Sequence, residues 1–352
     1  MRLCAVRRDD MWYRMSGPTF ACRGEIESTG FEVWRHTVHA IRHLSAVAVA
    51  IALAAASSFG DAATQQQAAT EGGVVTIPVT VHPHNARTRT AARDLTADAL
   101  VVKEDDREQP ISAVRGPSES PLVLAVLIQD DLVSRVNLEL EGLRRFIRNL
   151  PPGSRVLTAY LTVGTVRVMQ DFTEDRGAAA TSLRILQGAS AAPFNPYMGV
   201  TDVVRRFGEQ PEGRRAVLLV SDGLDVSRGL SLPDTLNSID LARAIREAQR
   251  RGVTVFPMYA PSAGLTGVSR LAANYGQGAL NRLADETGGM AFFSGFTFVS
   301  LEPYLKELRE LLSRQWLVSY RSTGTEPGFR KIKVTTQLDL HLHYPEGYEA
   351  AR

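Results

Sequence analysis

The chain has 352 residues, which at roughly 150 residues per domain accommodates about two domains and a sizeable core. Apolar residues make up 44% and charged residues 22%, which excludes a wholly disordered or fibrous chain. The 40 Lys and Arg against 38 Asp and Glu leave a formal charge of +2, so nothing marks the chain for nucleic acid, and no nucleic-acid partner is expected.

Residues 44–56 read LSAVAVAIALAAA, with one hydroxyl and no charge. That run is too short for a membrane span of about 20 residues and suits the core of a signal peptide. Arg35 and Arg42 supply the positive flank, and Ala54–Ala56 the small residues a signal peptidase needs. Cleavage is expected near Ser57 or around Ala62, an uncleaved N-terminal anchor being the alternative. Residues 1–34 are long, aromatic and charged for a leader, which places the expected start at Met15 or at a non-AUG codon for Val33 or Val38. On this reading residues 1–62 are leader and 63–73 linker. The mature chain is exported (periplasmic, cell-surface or secreted) and contains no membrane span. Cys4 and Cys22 lie upstream of the apolar run, so neither a disulfide nor a Cys nucleophile is expected in the mature chain.

Residues 74–116 read as a small β-module. VVTIPVTV (74–81) is strand-like, and Leu95–Lys103 and Ile111–Val114 are two more short strands, with Glu104–Gln109 expected as the charged tip of a hairpin. Gly116-Pro117-Ser118 is a linker.

From 121 to 314 strands and helices alternate. Leu122–Ile128 (LVLAVLI) and Ala216–Val220 (AVLLV) are continuous apolar runs, as strands buried on both faces of a parallel sheet require. Val136, Leu140, Leu143, Ile147 and Leu150 form one helical stripe, closed by Pro151-Pro152-Gly153. Arg155–Leu161 and Thr165–Gln170 pair around Gly164. Helices are expected over Ala178–Leu186, Tyr197–Phe207, Ile239–Arg251, Ala279–Thr287 and Glu302–Arg314, and strands over Val253–Tyr259 and Met290–Phe293. In residues 315–352 the strands Trp316–Tyr320, Lys331–Thr335 and Leu338–Tyr344 are expected to return to the N-terminal module. The fold class is therefore α/β: a doubly wound (Rossmann-like), mostly parallel sheet plus a small β-module.

Ligands of such a sheet bind outside the carboxyl ends of its strands. Two ends carry acids here, Gln129-Asp130-Asp131-Leu132-Val133-Ser134 and Ser221-Asp222-Gly223. Two carboxylate loops from neighbouring strands make a hard-oxygen pocket suited to Mg²⁺ or another divalent cation.

The segments RRAVLLVSDGLD (214–225) and RLADETGGMAFF (282–293), with LTADALVVKEDDREQPISAV (95–114) and the tail motifs LVSYRS and GFRKIKV, resemble the von Willebrand factor A-type (VWA) domain, and in particular the VWA-related family of Acidobacteria. The resemblance spans about 121–314. It implies a metal-ion-dependent adhesion site built from Asp-x-Ser-x-Ser, a Thr from a second loop and an Asp from a third. Aligned without a gap, the Asp-x-Ser-x-Ser positions fall on Gln129, Asp131 and Val133; slipped by one, on Asp130, Leu132 and Ser134. Neither register restores the motif, and only Asp222 matches cleanly. In the second loop (APFNPYMGVTD) Asn195 or Thr201 is the substitute for Thr. The candidate metal set is Asp130, Asp131, Ser134, Asn195 and Asp222. The alternative is that Asp222 caps a turn and Asp130 and Asp131 cap the helix from Val133.

Arg270 and Tyr275, in the segment 261–277, are candidate partner contacts if that segment is a loop beside the crevice, the alternative being a plain surface insertion. His341 and His343 share a strand face, more in keeping with a solvated face than with a metal pair. The chain contains no phosphate-binding glycine loop, no Gly-x-Ser-x-Gly elbow and no His-Glu-x-x-His. The expected function is a non-enzymatic module that binds an unidentified protein partner. The alternatives are an inert structural envelope component, or a cation-assisted hydrolase using Asp130, Asp131 and Asp222.

Overall fold

The computed structural model describes residues 73–83, 92, 94–163, 165–188, 195–227, 229, 236–293 and 295–350. The leader with its apolar core, both cysteines, Gly164 and residues 189–194 lie outside the described residues.

The central sheet has the order β7-β6-β5-β8-β9. These strands are β5 (Leu122–Gln129), β6 (Arg155–Thr162), β7 (Thr165–Thr173), β8 (Arg214–Ser221) and β9 (Val253–Tyr259). The two apolar runs are direct neighbours: β5 pairs in parallel with β8, from Leu122 opposite Arg214 to Ile128 opposite Val220. Only β7, at one edge, is antiparallel. This is the doubly wound, mostly parallel sheet expected from the sequence.

Side chains alternate across β5 with period two, and each set meets its own helical layer. Leu122, Leu124, Val126 and Ile128 pack with α1 (Leu140–Arg148), α2 (Arg176–Thr181) and a long C-terminal helix (Glu302–Leu312). Val123, Ala125 and Leu127 pack with α3 (Pro196–Arg206), α4 (Ile239–Arg250) and the helix Arg270–Thr287.

Two four-stranded antiparallel sheets share a separate core. In one, β1 (Val74–Pro83) lies between β10 (Gln315–Arg321) and β12 (Leu340–His343), with β4 (Ile111–Arg115) on the far side of β10. In the other, β11 (Gly328–Thr336) lies between β13 (Gly347–Ala350) and β2 (Leu100–Glu104), which pairs with β3 (Arg107–Gln109). Buried Glu104 ties strands together by accepting the hydroxyls of Tyr320, Ser322 and Tyr348.

Several expected elements differ. The charged tip 104–109 contracts to Asp105-Asp106, both at positive φ (47° and 64°), and Arg107–Gln109 pairs as a strand. Such a two-residue turn matches the twist of a hairpin. The expected helix Ala178–Leu186 is helical only over Arg176–Thr181. Met290–Phe293 contributes a single bridge, Met258 to Phe292. The largest difference is the segment 261–277. It folds as a one-turn helix, α5 (Leu265–Val268), followed by α6 (Arg270–Thr287), the latter capped by the Ser269 side chain, which accepts the Ala272 N–H.

Candidate functional site

The carboxyl ends of β5 and β8 bring Gln129 beside Ser221 and Asp222. The Gln129 Oε1 accepts the Ser221 hydroxyl at 2.6 Å and the Asp222 N–H at 3.2 Å. Its Nε2 donates to Asp131 Oδ1 at 2.7 Å. One neutral amide therefore stands between the two carboxylate loops and satisfies both. The gapless register had placed Gln129 at the first aspartate of the adhesion motif, and the structure puts it at the centre of the network.

Asp222 is 4% exposed. Its Oδ1 accepts the Leu224 N–H at 3.1 Å and its Oδ2 the Thr266 hydroxyl at 3.0 Å. The same Thr266 oxygen accepts the Ser262 N–H at 2.7 Å and lies 2.8 Å from the Ser262 hydroxyl. Burial pushes the Asp222 carboxyl up to about 6, and the nearby Asp131 charge adds to the rise. The loop is clamped from above by α6. Gly223 has φ +71°, and a Cβ at Gly223 or Gly276 would collide with the other segment's backbone. Tyr197, fully buried on α3, donates its hydroxyl to the Gly223 carbonyl at 2.5 Å.

Asp130 faces elsewhere. Both its oxygens are held by the Arg184 guanidinium, at 2.9 and 2.8 Å, and Oδ1 also accepts the Gln187 N–H at 3.0 Å. Arg184 lies over the Tyr160 ring, 4.1 Å from its centroid. Asp131, half-buried, keeps a carboxyl raised from the ordinary value by burial, opposed by the Gln129 amide.

The remaining candidates are dispersed. Ser134 is exposed at the start of the 3₁₀ turn Ser134–Glu139. Asn195 caps α3: its side-chain oxygen accepts the N–H groups of Tyr197 and Met198, and its amide donates to Asp240 at 2.9 Å. Thr201 donates back to the Tyr197 carbonyl inside the helix. The hydroxyl at Asp222 comes instead from Thr266. Arg270 is exposed at the start of α6, over the Phe296 ring at 4.7 Å, and Tyr275 is half-buried further along it. Five residues apart on a helix, the two point about 140° away from each other. They do not form one contact patch.

Of the five candidate ligands, the structure brings together only Asp131 and Asp222. One oxygen of the first is bound by an amide, and both oxygens of the second have donors. A divalent cation of the Mg²⁺ class needs several free oxygens in near-octahedral array. This donor set does not fit one, and among the described residues no group of three or more His, Cys, Asp or Glu could hold a metal ion.

The chain has a VWA-like fold: a doubly wound, mostly parallel sheet with one antiparallel edge strand and helices on both faces. No protein-family model matches the chain, and no curated protein does. Solved structures similar to it include the conserved hypothetical protein BatB from Bacteroides thetaiotaomicron, at 14% identity and TM-score 0.41, covering 55% of this chain and 98% of that one. A von Willebrand factor type A protein from Catenulispora acidiphila matches at 12% identity and TM-score 0.42, covering 81% and 75%. The ArnB paralog VWA2 from Sulfolobus acidocaldarius matches at 10% identity and TM-score 0.37, covering 79% and 76%.

Proposed function

We propose that the chain is an exported binding module that grips a protein partner with the carboxyl-end loops of its parallel sheet, without a bridging divalent cation. The observation that carries this reading is the Gln129 amide, which links the two carboxylate loops by hydrogen bonds where a cation-bridged site would need an anionic oxygen. Export rests on the apolar run 44–56 with its Arg flank. Among the described residues no helix is long and apolar enough to cross a membrane.

Exposed apolar side chains support the binding role. Leu138 (81% exposed) lies after β5, Ile185 (67%) after α2, and Val268 (84%) and Leu271 (59%) after β9. Where large exposed apolar side chains form one patch, they mark an interaction surface. The module is read as non-catalytic. The described histidines, His82, His341 and His343, belong to the antiparallel sheets, so among the described residues no imidazole serves Ser221 or Ser262 as a base.

The test is capture from envelope extract by the intact protein, with and without EDTA, compared with the Ile185→Asp/Val268→Asp variant. The same partner retained in EDTA and lost in the variant supports the reading. Capture that disappears in EDTA, or that the double substitution leaves unchanged, contradicts it; the absence of any captured partner contradicts it too and points to an inert envelope component.

A further inference from the structure

The outer face of the sheet containing β2 and β11 carries a cluster of three lysines. Lys103 on β2 stands directly opposite Lys333 on β11. Lys331 lies two residues along the same face of β11, as the pleat dictates. Like charges opposed across a strand pair are destabilising. On its other side Lys103 stands opposite Glu108 of β3, while Glu104 and Asp105, next along the chain, face Arg330 at 3.8 and 3.5 Å. Among the described residues, none of the three lysines forms an ion pair.

These lysines line a hollow of about 590 Å³ together with His341 and His343 of β12. Its acidic members are Asp106 and Glu346, so cationic and imidazole groups predominate. Behind the two histidines stands His82 of β1, opposite His341 in the strand register. Its ring centroid is 6.0 Å from that of His341 and 6.4 Å from that of His343. Burial lowers the His82 imidazole to about 4, and the neighbouring His343, His341 and Arg314 add to the effect.

We propose that this hollow binds a phosphate group, with Lys103, Lys331 and Lys333 as its charged contacts and His341 as a further donor, the His343 Nε2 being held by the Gly289 carbonyl. Ammonium groups are point-charge phosphate binders, and three of them arriving from two strands suit a tetrahedral anion with several acceptor oxygens. A lone carboxylate would leave part of that charge unmatched. The site lies in the antiparallel sheets and does not depend on the reading of the carboxyl-end loops.

The experiment is calorimetric titration of inorganic phosphate into the full chain at low and moderate NaCl. In parallel, co-sedimentation is measured with vesicles of phosphatidylglycerol in phosphatidylcholine, and with phosphatidylcholine alone. Saturable phosphate binding that weakens several-fold with salt is expected. Lys103→Gln/Lys333→Gln should weaken it at least tenfold. Binding to phosphatidylglycerol vesicles with the same lysine dependence identifies a lipid headgroup as the source, and binding of inorganic phosphate alone identifies the free anion. The proposal is overturned if neither form binds, or if binding survives the double substitution undiminished.

Discussion

The side-chain carbonyl of Gln129 accepts the backbone N–H of Asp222 at 3.2 Å, joining the ends of two neighbouring parallel strands. Because the same oxygen takes the Ser221 hydroxyl, Gln129 is the acceptor for two buried donors. Gln129→Ala leaves both without a partner in a dry site and should cost about 2–3 kcal/mol in urea unfolding. Gln129→Glu restores the acceptor but sets a third carboxylate against Asp131 and Asp222, and should also destabilise at neutral pH.

The pair Asp130–Arg184 makes a second, independent prediction. The two side chains are 11% and 18% exposed and meet through both carboxylate oxygens. Arg184→Met strands a buried carboxylate and should cost about 3–5 kcal/mol. The double variant Asp130→Asn/Arg184→Met should recover most of that loss, a coupling that a double-mutant cycle reads directly.

Asp222 fixes a pH dependence. Burial pushes its carboxyl up to about 6 in the folded chain, above the ordinary carboxylate range. The folded state therefore holds the proton more tightly than the unfolded state, and stability falls as pH rises through that interval. Asp222→Asn keeps an acceptor for the Leu224 N–H and removes the charge. It should be more stable than the parent at pH 8, by at most about 3 kcal/mol, with the difference vanishing below about pH 4. His82, lowered to about 4, acts in the opposite sense over an overlapping interval, its contribution being lost as pH falls. The comparison of variant with parent, rather than the parent profile alone, isolates Asp222.

Close approach of α6 to the Asp222 loop is a packing requirement. A Cβ at Gly276 would meet the Asp222 carbonyl, so Gly276→Ala should cost about 3 kcal/mol by overpacking. Gly142 on α1 is the control. There an added Cβ meets only Leu305 Cδ1 at 3.9 Å, and Gly142→Ala should stabilise by about 0.5–1 kcal/mol through helix propensity.

These sites also mark where the sequence was legible. LVLAVLI and AVLLV read as central strands because burial on both faces leaves no polar alternation, and Asp222-Gly223 followed from the end of the second. The roles of Asp130 and Asp131 were not readable. Adjacent residues leaving a strand point to opposite sides, and which side meets the crevice depended on Arg184, 54 residues downstream of Asp130. Thr266 was missed because GLTGVSRLAANYGQG has a loop's composition. Its glycines are in part the positions where α6 must touch the Asp222 loop, so tertiary packing, not local propensity, makes that segment helical. The like-charge pair Lys103–Lys333 became visible only with the strand register.

The central claim is that hydrogen bonds within the chain, rather than a cation, join the carboxylate loops at the sheet's carboxyl end. Calorimetric titration of Mg²⁺ and Mn²⁺ into the full chain, with Tm followed alongside, tests it most directly. The account predicts no heat of binding and an unchanged Tm at millimolar cation. Saturable binding that raises Tm and is abolished by Asp131→Asn would contradict it.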